Sequence, residues 1–161
     1  MSSISVLIVD DEKNVRSALR RTLRKTGYGL LFADCGPAAL ELLEKQPVDV
    51  VLSDHLMPGM TGLQLLREVR RLTPYAGRIM LTGHADLETA MDAIRQGDID
   101  RFLTKPWDDV ELRVALQMAA EKLHAESENR RLLETLQTQD HATTPSGGSL
   151  GNGQRGGGGG T

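Results

Sequence analysis

The chain has 161 residues, 39% of them hydrophobic but only 3% aromatic, which suits one domain with an aliphatic core plus an appendage. Through residue 106 it holds 14 basic and 14 acidic side chains, and the whole excess of its net charge of −3 follows, so no basic nucleic-acid-binding surface is expected. The single Cys35 excludes an internal disulfide and a cysteine metal cluster, acids at 10–12 break the only N-terminal apolar run, and no stretch approaches the ~18 apolar residues of a membrane span, so the expected compartment is the cytoplasm.

Residues 4–9, ISVLIV, read as a buried strand that ends in Asp10, Asp11 and Glu12. Residues 14–25 place Val15, Ala18, Leu19, Thr22 and Leu23 at helical spacing. The opposite face carries Arg16, Arg20, Arg21, Arg24 and Lys25, which serves either as a solvated face or as a docking surface for an acidic partner helix. Gly27 is the expected C-cap. Residues 29–33 form a second strand, and 37–44 a helix that starts on Pro37, where proline costs nothing. Residues 49–53 are a third strand, DVVLS, whose apolar run is typical of a strand covered on both faces. Asp54 follows it, and Pro58, Gly59 and Gly62 break regular structure directly afterwards. Leu63, Leu65, Leu66, Val69 and Leu72 mark the next helix. A fourth strand spans 78–82, a helix 85–96, and a fifth strand 100–104. Strands alternating with helices in this way predict parallel strands with helices on both faces.

From Trp107 to residue 139 there is neither Pro nor Gly, enough for a helix of roughly 50 Å. Its first half is expected to pack on the sheet through Val110, Leu112, Val114 and Leu116. Its second half outruns a domain of this size. One heptad frame uses Met118, Lys122, Ala125, Asn129, Leu132 and Leu136, another Leu116, Ala119, Leu123, Glu126, Arg130 and Leu133, and neither is apolar throughout. The expected divisions are a domain at 1–122, a helical extension with coiled-coil character at 123–139, and a disordered Gly-rich tail at 140–161.

Strands one, three, four and five each end in a polar group: Asp10-Asp11, Asp54, Thr82 and Lys105. In a parallel sheet these ends share one edge, where open α/β sheets place ligands. Clustered carboxylates repel unless cations intervene. Lys105 is one cation, and a hard divalent ion with oxygen ligands, Mg2+, is the natural second. A carboxylate can attack phosphorus, and the transferred group then needs positive charge and donors around its oxygens. The spacing therefore favours phosphoryl transfer to an aspartate.

The pieces VDDE at 9–12, SDHLMPGMTG at 53–62, LTG at 81–83 and FLTKPW at 102–107 resemble, in order and spacing, the receiver domain of two-component response regulators. The resemblance covers about residues 4–122. It implies a flavodoxin-like α/β fold, doubly wound around a five-stranded parallel sheet in the order 2-1-3-4-5. It implies Asp54 as phosphoacceptor, and Mg2+ held by Asp11, Asp54 and the backbone carbonyl of Leu56, with Asp10 acting through water. Thr82 and Lys105 would contact the phosphoryl oxygens, Phe102 would be the aromatic switch, and Lys105-Pro106 would be cis. The implied partner is a histidine kinase or phosphotransfer protein, with a possible homodimer through the last two helices and the extension. The only implied chemistry is Mg-dependent self-phosphorylation and self-dephosphorylation.

The chain departs from the family pattern in places. Gly83 stands where Ala is usual, and Phe102 lacks the hydroxyl of a Tyr. Leu56 and His84 flank the path of an attacking water, although His84 reads equally well as a plain loop residue. The 93–109 stretch and the long last helix also resemble receivers joined to cyclic-di-GMP phosphodiesterase or kinase modules. A haloacid dehalogenase-type phosphatase would need a D-x-D nucleophile on the first strand, but Glu12 occupies the second Asp position. An interaction module with a vestigial pocket would lack some of the five polar groups, and all are present.

Overall fold

The computed structural model describes residues 4–142. In chain order they form β1 (Ser5–Val9), α1 (Lys13–Leu23), β2 (Gly29–Ala33), α2 (Gly36–Lys45), β3 (Val50–Asp54), α3 (Gly62–Leu72), β4 (Gly77–Thr82), a 3-10 turn at His84–Asp86, α4 (Leu87–Arg95), β5 (Arg101–Thr104) and α5 (Asp109–Ala142). All strand pairs are parallel and the sheet order is β2-β1-β3-β4-β5, as expected.

The two side-chain parities of the strands feed two cores. Leu7, Val9, Val51 and Met80 meet Ala39 of α2, Leu65, Leu66 and Val69 of α3, and Ala90 and Ala93 of α4. Val6, Ile8, Leu52, Ile79 and Leu103 meet Leu19 and Leu23 of α1 and Leu112, Ala115, Leu116 and Ala119 of α5. Every residue of β3 is buried, which explains its unbroken apolar reading. A fully buried leucine such as Leu19, Leu23 or Leu112 contributes about 1.5–3 kcal/mol.

Some expectations need correction. Val110 and Val114 are 57% and 45% exposed, so they do not pack on the sheet. Positions two apart lie on opposite sides of a helix; the buried face recurs at three and four, through 112, 115, 116 and 119. Helix α1 ends at Leu23 with Arg24 as C-cap, so Gly27 is not the cap but a turn residue with φ of 83°. The third strand is shifted by one residue: Asp49 stays outside β3, its carboxylate accepting from the Ser5 amide at 2.9 Å, while Asp54 lies within β3.

At the amino edge of the sheet, buried Arg78 gives its guanidinium to the carbonyls of Asp98, Ala76 and Gly97, while Arg67 and Arg70 of α3 pair with Asp98. This network holds the turn between α4 and β5. The chain divides into one unit through Glu126 and a second from Ser127. Within the first, Lys122 of α5 pairs with Asp100 at 2.9 Å. In the second, the helix continues to Ala142 with Leu132, Leu133 and Leu136 more than half exposed. Residues 143–161 of the expected tail lie outside the described residues.

Candidate functional site

Register sets the carboxyl edge of the sheet. Val9 pairs with Ser53, so Asp10 and Asp54 leave adjacent strands together. Thr82 closes β4 opposite Thr104 of β5, and Lys105 follows. The Lys105 amide donates to the Thr82 carbonyl at 2.9 Å, and the Lys105-Pro106 bond is cis, as expected.

Asp10 is fully buried. One of its oxygens accepts from Lys105 Nζ at 2.9 Å and the other from the Glu12 amide at 2.9 Å. Its carbonyl accepts from Arg16 at 2.7 Å, which ties α1 to the edge. Lys105 Nζ also lies 3.0 Å from Asp54 Oδ1, so one ammonium bridges two carboxylates. Thr82 is fully buried, and its hydroxyl donates to the Gly83 carbonyl at 3.3 Å.

Burial pushes the Asp54 carboxyl above its ordinary value; the Lys105 hydrogen bond and charge pull it down, and Asp10 and Asp11 add to the rise. Burial works against the charge on Lys105, but hydrogen bonds to Asp10 and Asp54, with their charges, leave its pKa raised. The Asp54 carboxylate is thus held at a cost, and Lys105 stays protonated beside it.

The loop after Asp54 is pinned at both ends. The His55 amide donates to the Leu81 carbonyl at 2.9 Å, and the Gly62 amide to the His55 carbonyl at 2.8 Å. A Cβ on Gly62 would lie 2.0 Å from the Asp54 carbonyl oxygen, so only glycine lets α3 start this close to β3. Thr61 caps α3 with a reciprocal bond to Gln64. Leu56, 62% exposed, and His84, also exposed, stand on the two loops beside the edge. Phe102 is half-buried against the core under α2, α3 and α4.

The donor set suits a hard cation. Carboxylate oxygens of Asp10, Asp11 and Glu12 lie within 4.8 Å of one another. Asp54 is not part of that group, but Asp10 and Asp11 both act on its charge. Glu12 escaped the sequence reading as a site residue, and so did the need for glycine at 62 and the buried His55. The only signal for Glu12 was its place beside two site acids.

A doubly wound parallel sheet with buried acids, a threonine and a lysine on its carboxyl edge defines the class, and the comparisons give the family. The chain belongs to the response regulator receiver domain family, whose model matches residues 6–117. Receiver domains are phosphoacceptors rather than enzymes acting on outside substrates; they bind Mg2+ through an acidic cluster and are typically phosphorylated by histidine kinases. The hydrogenase transcriptional regulatory protein HoxA of Cupriavidus necator is 36% identical over 134 residues, 83% of this chain and 28% of that protein. The regulatory protein AtoC of Escherichia coli is 38% identical over 133 residues, 83% of this chain and 29% of that protein. The signal receiver domain of an HD domain-containing protein from Pseudomonas fluorescens superposes with a TM-score of 0.75 at 39% identity, covering 80% of this chain and 94% of that one. The chain thus spans less than a third of the curated relatives it matches. No described helix is long and apolar enough to cross a membrane.

Proposed function

We propose that Asp54 is the phosphoryl acceptor of this receiver. The observation that carries the reading is a buried carboxylate at the end of the central strand, bridged to Lys105, with Thr82 ending the neighbouring strand. An Asp54 oxygen attacks the phosphorus of a phosphohistidine on a histidine kinase or phosphotransfer protein. The O–P bond forms, the P–N bond breaks, and the imidazole leaves and takes a proton from solvent. Lys105 turns its ammonium from Asp54 to a phosphoryl oxygen, and the Thr82 hydroxyl exchanges the Gly83 carbonyl for another. Asp11, Asp54 and the Leu56 carbonyl would hold Mg2+, with Asp10 acting through water, and the ion supplies positive charge to the phosphoryl oxygens when bound. Labelling with a small phosphodonor and Mg2+ tests the reading: wild type takes up phosphate and Asp54→Asn does not.

The donor docks on α1. Arg16 and Arg20 are engaged within the domain, the latter 4.4 Å over the Phe32 ring, whereas Arg21 lines a groove of about 460 Å³ with Ala18, Thr22, Pro106, Trp107 and Asp109. That groove opens beside Lys105-Pro106 and fits a donor helix with acidic side chains.

Output runs through the other face. Movement of Thr82 toward the phosphoryl group frees space for Phe102 to turn inward, which repacks α4 and β5 and favours one of two packings. Met91 and Ile94 of α4 and Val114 and Met118 of α5 are exposed, a surface that a second copy of the chain would cover. Leu116 and Ala119 belong to the core, so the heptad frame that starts on them is occupied within the domain. Residues 1–122 act as the receiver and 123–139 as the extension that carries the dimer contact outward. The short coverage of the relatives favours a second reading, in which this receiver serves an output domain of a longer protein.

A further inference from the structure

His55 is buried directly after Asp54. It is 8% exposed, and its Nδ1 is sealed from solvent with no hydrogen-bond partner among the described residues. A buried ring nitrogen without a partner costs stability, so its place calls for a partner in another state of the protein. The His55 amide donates to the Leu81 carbonyl at 2.9 Å, which carries the β3–β4 ladder one residue past Asp54 and sets His55 beside Thr82. Alternation along the strands puts both on the face of Val51 and Met80, the face that also holds Phe102. The Thr82 hydroxyl donates to the Gly83 carbonyl at 3.3 Å, so that carbonyl lies against the Thr82 side chain. Its other donor is the Asp86 amide at 3.1 Å. A carbonyl oxygen has two lone pairs, so departure of the hydroxyl leaves one of them open. A Cβ on Gly83 would meet nothing within 4 Å, and the peptide there has room to turn.

We infer that His55 is a positioning residue for the phosphorylated state: when Thr82 gives its hydroxyl to a phosphoryl oxygen, the Nδ1–H of His55 takes its place on the Gly83 carbonyl. The inference rests on the reading of Asp54 as acceptor and Thr82 as a contact of the phosphoryl group. The exchange satisfies the buried ring nitrogen and the vacated carbonyl together. It also holds the loop after β4 in its new position while Phe102, which has no hydroxyl of its own to do so, turns inward. One neutral hydrogen bond made only in that state is worth roughly 3- to 10-fold in affinity for the phosphoryl group.

The test titrates the full chain, in Mg2+, with trifluoroberyllate as a mimic of the phosphoryl group, using wild type, His55→Leu and His55→Asn. Asparagine carries its amide nitrogen where histidine carries Nδ1. His55→Leu binds the mimic roughly 3- to 10-fold more weakly than wild type, and His55→Asn recovers most of the loss. Nitrogen–proton NMR of the imidazoles follows the ring signal that His55→Leu lacks. In wild type the mimic moves it to that of a hydrogen-bonded Nδ1–H. In Thr82→Ala it stands there without the mimic, because the carbonyl has already lost the hydroxyl. A histidine that only fills space changes the melting temperature of His55→Leu but neither the affinity nor the ring signal. If wild type binds the mimic, the inference is overturned and the acceptor reading stands when His55→Leu binds as tightly, when His55→Asn is as weak as His55→Leu, or when the ring signal stays unchanged. If wild type binds the mimic no better than Asp54→Asn, the acceptor reading and the inference both fall.

Discussion

Lys105→Met removes the one cation shared by Asp10 and Asp54. The lysine side chain is 24% exposed, Asp10 is fully buried and the Asp54 side chain is 9% exposed, so water cannot replace it well. At an effective dielectric near 20, each contact of about 3 Å is worth roughly 5 kcal/mol before desolvation. Removing one member of a buried pair typically costs about 3–5 kcal/mol net. The loss has a ceiling, because a stranded carboxylate can take a proton. For an aspartate of ordinary pKa near 3.9, that costs about 4 kcal/mol at pH 7, and less for one already raised by burial. The expected destabilisation at pH 7 is therefore about 3 kcal/mol. Its pH dependence has a definite sign. With its lysine gone, Asp54 titrates further above its unfolded value, so the penalty is full above the folded pKa and vanishes below the unfolded one. Lys105 has a raised pKa and stays charged throughout the acid range, so it adds no slope there. Urea unfolding in excess chelator at pH 7 and pH 5 reads this directly. The gap between variant and wild type should shrink toward pH 5. Equal stability at pH 7, or a gap that widens toward acid, would refute the reasoning.

Gly62→Ala should cost about 2–3 kcal/mol and slow labelling of Asp54, because the new methyl must push α3 from the Asp54 carbonyl; unfolding and labelling rates that match wild type count against the contact. His84→Ala should lengthen the life of the aspartyl phosphate in an acid-quench decay, since the exposed imidazole can orient a water; an unchanged or shorter life leaves it a plain loop residue. A chain cut after Glu126 keeps the Lys122–Asp100 pair and should label normally, yet self-associate more weakly by light scattering; undiminished association makes the extension a linker.

The site was largely legible because each of its groups ends a strand. A buried strand reads as an apolar run, and the first polar residue after it must lie on the ligand edge, which located Asp10, Asp54, Thr82 and Lys105 without any distance. The face of α5 was not legible in the same way. Alternating Val110, Leu112, Val114 and Leu116 suggest a strand-like period, and only the helix geometry chooses Leu112, Ala115, Leu116 and Ala119. Alanines carry little hydrophobic signal, yet three-dimensional closeness to the sheet favours them. Arg78 at the start of β4 hides for another reason: its partners are carbonyls of residues 76, 97 and 98, and carbonyls leave no mark in the sequence. Gly62 was read as a breaker of regular structure after Asp54, whereas its requirement is the 2.0 Å approach that a Cβ would make to the Asp54 carbonyl of β3. Glu12 was read only as the end of the acidic run after the first strand, and its place as the N-cap residue of α1, without a side-chain cap bond, left no mark in the sequence.

The most direct test of the central claim is the mapping of the phosphoryl group on the chain. Wild type and Asp54→Asn are treated with a small phosphodonor and Mg2+, reduced with borohydride to fix the aspartyl phosphate, digested and sequenced by mass spectrometry. The account predicts modification at Asp54 in wild type and none anywhere in Asp54→Asn, with both proteins folded by circular dichroism. Undiminished labelling of Asp54→Asn, or a wild-type label on Asp10 or Asp11 in place of Asp54, would contradict it.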